Sequence, residues 1–164
     1  MSQPIVIDSL VFARQGRVLK GETAIADLER VVDFLVDTTG SLTFFAEGRV
    51  SEQNRPQLLL CVDGVLSLRC QRCLDGVDYP LAVRSLLEFV ENEDDLTQEE
   101  LEDDSRDFLE ADSEFDVSAL IEDEILLGLP LAPRHDGCEL PGAGNAGGVQ
   151  SPFSVLRELK GKAQ

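Results

Sequence analysis

Tryptophan is absent from this 164-residue chain, aromatic residues make up 5% of it, and histidine occurs once. With rings so scarce, the core is expected to be aliphatic, because hydrophobic residues still reach 43%, an ordinary globular share. The single histidine, His135, stands beside Pro133-Arg134 and leaves little room for a Ser-His-Asp arrangement or a histidine general base. Long apolar runs are missing as well. Stretches such as Leu58-Leu59-Leu60-Cys61-Val62 fall far short of the roughly 20 residues that cross a bilayer, so a soluble chain is expected. Four cysteines do not make a disulfide framework at this length, and no charged-then-apolar leader precedes Met1-Ser2-Gln3-Pro4, which favours a reducing cytoplasm. Nor is there a phosphate-cradling loop: Gly142, Gly144, Gly147 and Gly148 follow no strand and lead to no Lys-Ser/Thr. The chain does not read as an enzyme, and no small-molecule substrate is implied.

Positive charge is also in short supply, with 14 Lys and Arg against 32 Asp and Glu for a net charge of −18. The imbalance is local. Residues 88–116 hold fifteen acids and one base, Arg106, so the remainder of the chain is only mildly acidic. Residues 91–114 are too charged and too poor in apolar side chains to offset their own ordering entropy, and a flexible insertion is expected there. Such a segment repels nucleic-acid phosphates and attracts basic proteins.

What remains has ordinary periodicity. Residues 5–13 read as an extended strand or arm, ending in Val11-Phe12-Ala13. Ile25, Leu28, Val31, Val32 and Leu35 recur at three- and four-residue steps, which predicts a helix near residues 24 to 37. From Ser41 the period becomes two, predicting an antiparallel β-meander of about four strands, with Asp63-Gly64 closing a tight hairpin and Asp75-Gly76 at another turn. A second helix is expected over 116–128, with Asp116 as N-cap, Val117, Leu120, Ile121 and Ile125 as its apolar stripe, and Pro130 and Pro133 as its stop. Residues 141–150 have linker composition, and Ser151-Pro152 can open a short helix carrying Phe153, Leu156 and Leu159. The expected class is therefore α+β: a meander or partial barrel with two packed helices in one domain over 1–140, followed by a Gly-rich linker and a short C-terminal helix over 141–164.

Cys70-Gln71-Arg72-Cys73 is the feature closest to chemistry. With His135 and Cys138 it spells C-x2-C and then H-x2-C, a donor set that suits zinc. Two other readings stand beside that one: ordinary half-buried thiols, or a redox pair, although redox CxxC motifs open a helix and these flanks read as β. Cys61, inside an apolar run, reads as a core residue. Glu122-Asp123-Glu124 is either a solvated helix face or a patch for a basic partner. Direct RNA contact would need a basic groove drawn from Arg14, Arg17, Lys20, Arg69, Arg72, Arg84, Arg134, Arg157, Lys160 and Lys162.

Three stretches together resemble the YceD family, the large ribosomal RNA subunit accumulation proteins: Cys70-Gln71-Arg72-Cys73-Leu74, Glu122 through Pro133 with His135 just after, and Pro152 through Lys160. Some similar proteins carry further cysteines after the position of His135, where this chain has only Cys138 and then a Gly/Ala stretch. The resemblance implies a bacterial cytoplasmic factor, non-enzymatic, supporting synthesis, processing or stability of 23S ribosomal RNA. Combined with the charge, it implies a basic ribosomal protein or assembly factor as partner, ribosomal RNA being reached mostly indirectly, with Arg72, Glu122, Asp123, Glu124 and Phe153 as candidate contacts. The alternative is a zinc- or thiol-dependent adaptor, or a redox-sensitive protein, built on the CxxC pair.

Overall fold

The computed structural model describes residues 4–138. Its chain runs β1 (Val6–Ile7), α1 (Ser9–Arg14), β2 (Val18–Ala24), two 3-10 turns (Ile25–Asp27 and Val32–Phe34) and β3 (Leu35–Asp37). There follow β4 (Ser41–Val50), β5 (Pro56–Arg69), β6 (Gly76–Val90), a 3-10 turn (Glu93–Asp95), α2 (Gln98–Leu101), β7 (Asp107–Glu110), β8 (Phe115–Asp116) and α3 (Val117–Gly128). Strands β2-β4-β5-β6-β7 form one path with β3 beside β5, while β1 and β8 pair separately. All ladders are antiparallel except β6 with β7. The class is α+β as expected, and the sheet is open, its path ending at β2 and β7.

Alternation builds the core. Leu42, Phe44 and Ala46 of β4, Leu58, Leu60, Val62, Leu66 and Leu68 of β5, and Leu81, Val83, Leu87 and Phe89 of β6 are buried on one face. Helix α3 lays Val117, Leu120, Ile121 and Ile125 on that face, and α1 adds Phe12 and Ala13. Each buried large aliphatic side chain contributes roughly 1.5–3 kcal/mol. The α3 boundary is the expected one: Asp116 Oδ1 accepts from the N–H groups of Ser118 and Ala119 at 2.8 and 3.2 Å, and Pro130 follows the last turn.

Four expectations are corrected. Asp63-Gly64 is not a hairpin, because β5 pairs with β6 without interruption from Gln57 opposite Glu88 to Arg69 opposite Gly76. Gly64 lies on the inner face, where the Leu42 side chain fills the space a Cβ would need. Residues 24 to 37 form two 3-10 turns and β3 instead of a helix. The apolar spacing there does mark burial of Ile25, Leu28, Val31 and Leu35, but the Arg30 N–H is taken by the Glu122 carboxylate at 2.7 Å and Leu35 pairs with Leu68. Val11-Phe12-Ala13 is helical, because Asp8 caps α1 by accepting from the Val11 N–H at 2.9 Å.

The acidic segment, lastly, takes up structure as α2 and β7. Glu88 and Glu100 accept Arg106 and Arg55, both guanidinium groups lie over the Phe108 ring, and Thr97 with Glu100 forms a capping box. Arg55 comes from the β4–β5 turn, 45 residues before Glu100, so a local charge count misses it. The linker at 141–150 and the Phe153 helix lie outside the described residues.

Candidate metal centre

The β5–β6 corner is closed by the Cys70 N–H donating to the Asp75 carbonyl at 2.8 Å and the Leu74 N–H donating to the Cys70 carbonyl at 3.0 Å. To turn this sharply the chain holds Leu74 at φ 68°, a left-handed conformation that a leucine rarely adopts. Cys70 and Cys73 thus project from one knuckle. After α3, two prolines keep residues 130–133 out of a helix, and the Gln71 N–H donates to the Pro133 carbonyl at 2.8 Å, drawing this strip against the corner. A second turn, with Gly137 at φ 71° and the Cys138 N–H donating to the His135 carbonyl at 3.4 Å, aims His135 and Cys138 at the knuckle.

The sulfurs of Cys70, Cys73 and Cys138 and one ring nitrogen of His135 lie within 4.8 Å of one another. Cys70 Sγ is 3.8 Å from Cys138 Sγ, and Cys73 Sγ is 3.5 Å from His135 Nδ1. The opposite ring nitrogen, Nε2, is 2.8 Å from the Gly76 carbonyl oxygen. Only a protonated nitrogen donates to a carbonyl, so in the neutral ring Nε2 carries the proton and Nδ1 turns its lone pair to the sulfurs. Around the group, the Arg72 N–H donates to Cys70 Sγ at 3.4 Å and the Arg72 guanidinium donates to the Cys138 carbonyl at 2.6 Å.

The electrostatics of the four groups differ. The Cys73 N–H, followed by those of Arg72 and His135, pulls the Cys70 thiol down to about 5 despite burial. Burial, and then the neighbouring sulfurs, push Cys138 up to about 11. The Gly76 carbonyl and the Cys70 sulfur raise His135 above its ordinary 6.5.

Other candidates sit elsewhere. Cys61 is half-buried on the outer face of β5, opposite Phe45 and Arg84, and not in the core. Glu122 and Asp123 are paired with Arg30, and Glu124 accepts from the Ser85 hydroxyl, so these acids tie α3 to the 25–34 turns and to β6. Among the basic residues, Arg84 pairs with Asp63 and Lys20 lies over the Phe45 ring. Phe153 is outside the described residues. The sequence reading missed the Gly76 carbonyl and the Gln71–Pro133 bond, since a backbone group carries no residue-type signal. No helix among the described residues is long and apolar enough to cross a membrane.

Comparison with known proteins adds the family. Residues 59–160 match the family described as large ribosomal RNA subunit accumulation protein YceD. The protein of that name from Haemophilus influenzae is 29% identical over 180 aligned positions, covering 97% of each chain. No solved structure matches. The matched region includes the cysteine knuckle, helix α3 and the His135–Cys138 turn, and this chain belongs to the YceD family.

Proposed function

We propose that this protein is a non-enzymatic cytoplasmic factor supporting accumulation of large-subunit ribosomal RNA, and that it does so by holding a basic ribosomal protein or assembly factor. The observation that carries the first part is the family match over residues 59–160. The non-enzymatic reading is supported by the chain's one histidine, whose two ring nitrogens face Cys73 and Gly76 and are not offered to a substrate.

The partner reading rests on where charge stays open. Glu88 and Glu100 face inward to Arg55 and Arg106, whereas Asp94, Asp95, Glu99, Glu102, Asp104 and Asp107 are exposed. Ordered on α2, its flanking turns and the start of β7, these acids form a fixed negative surface that attracts cations and repels phosphate. The 91–114 region is thereby a docking face more than a loose tail, and ribosomal RNA is reached through the protein it binds.

The test is the ratio of large- to small-subunit ribosomal RNA, with precursor ends mapped, in source cells depleted of the protein. Wild type is expected to restore a selectively lowered ratio. A variant with Glu99→Gln, Glu102→Gln, Asp104→Asn and Asp107→Asn, which leaves Glu88 and Glu100 intact, is expected to fold but not to restore it. An unchanged ratio on depletion would overturn the ribosomal reading, and full rescue by the variant would overturn the charge-led partner.

A further inference from the structure

We infer that Cys70, Cys73, His135 and Cys138 bind one zinc ion, as a closed structural site that fastens the segment after α3 to the β5–β6 corner. This goes beyond the ribosomal role and stands without it.

Distances argue first. A tetrahedral zinc ion with bonds of about 2.3 Å to sulfur and about 2.0 Å to nitrogen has S···S edges of about 3.8 Å and S···N edges of about 3.5 Å. The Cys70–Cys138 and Cys73–His135 separations, 3.8 and 3.5 Å, are those two edges. A disulfide would require about 2.0 Å between sulfurs. No pair among the four donor atoms is more than 4.8 Å apart, so a shift of about 1 Å at the longest edge closes the set on the ion.

The surroundings argue second. Metal-bound histidines characteristically donate their other N–H to a carbonyl, and His135 Nε2 meets the Gly76 oxygen at 2.8 Å, which leaves Nδ1 as the ligand. Three thiolates, one neutral imidazole and Zn²⁺ leave the site with a single negative charge, the thiol protons having gone to solvent. The Arg72 N–H on Cys70 Sγ and the Arg72 guanidinium on the Cys138 carbonyl face that charge. Arg72 is then a second-layer clamp as well as a surface cation.

The donor set selects the metal and the role. Three sulfurs with one imidazole suit zinc over magnesium or calcium, and four protein ligands leave no open position for water or substrate. Cys73 and His135 are 62 residues apart, so one ion closes a loop that the Gln71–Pro133, His135–Gly76 and Arg72–Cys138 hydrogen bonds otherwise hold. The strained Leu74 fits this picture, since a left-handed residue after the second cysteine lets two sulfurs share one ion.

The experiment uses the full chain, purified under reducing conditions without chelator. Elemental analysis should find about one zinc per chain, and cobalt substitution should give the intense d–d bands of a tetrahedral thiolate-rich site. His135→Cys should keep the metal and shift those bands. His135→Ala should weaken zinc binding by at least about tenfold while circular dichroism stays that of a folded β-protein. Chelation should speed tryptic cleavage after Arg134. The inference is overturned if folded, reduced wild type neither carries nor takes up zinc, if cobalt gives octahedral spectra, or if mass spectrometry finds a native Cys70–Cys138 disulfide insensitive to chelator.

Discussion

Gly48 shows how much one absent methyl group can matter. It lies on the inner face of β4 where α1 crosses, and a Cβ there would run into the Phe12 carbonyl oxygen and sit 2.8 Å from Ala13 Cα. Neither is the end of a flexible side chain, so α1 would have to lift. Gly48→Ala should cost about 1–3 kcal/mol, read as a lower urea midpoint with little change in slope. An unchanged midpoint would mean that α1 is not seated on β4. Arg30 is a second residue that joins distant parts, with its guanidinium on the Ala119 carbonyl and Asp123 and its N–H on Glu122.

Among the elements, α2 is the least self-sufficient: four residues long and highly acidic, it depends on its cap and on two imported arginines. Glu100 makes the dependence measurable. Its carboxyl is held below the ordinary 4.5 first by the Thr97 N–H, then by the Thr97 hydroxyl and the charges of Arg55 and Arg106. A carboxyl lowered on folding stabilises fully above its unfolded value, and that contribution is lost as pH falls through the folded value. Glu100→Gln should therefore melt below wild type at neutral pH, and the gap should hold down to about pH 5 and close under further acidification. A gap that stays constant throughout acidification below about pH 4 would show that the charge of Glu100 is not what holds α2.

Taken as a whole, the molecule carries a net charge of −18, with 32 Asp and Glu against 14 Lys and Arg. Self-repulsion is then the largest long-range term. Raising salt from about 20 mM to about 500 mM shortens the screening length from roughly 20 Å to under about 5 Å. Tm of the isolated chain should rise by a few degrees, while a complex with a basic partner should weaken over the same range. A fall in Tm would mean that the ion pairs of Glu88 and Glu100 with Arg55 and Arg106 outweigh the repulsion.

Periodicity and capping were readable along the chain because they record which face of a segment is dry. The two-residue alternation of β4 to β6, the stripe and Asp116 cap of α3, and the paired C-x2-C and H-x2-C spacings are all local in sequence. Backbone path and charge pairing were not, because their partners are far away. Residues 24 to 37 show the apolar spacing of a helix, yet Glu122 and Leu68 draw that backbone into turns and a strand. The acids of 91–114 look unfoldable until Arg55 and Arg106 reach Glu88 and Glu100. At the cysteine corner, residue types named the four donors, but their convergence within 4.8 Å and the proton on His135 Nε2 come from the Gln71–Pro133 bond and the Gly76 carbonyl. Those are backbone hydrogen bonds between remote segments, which any residue can make and no sequence pattern marks.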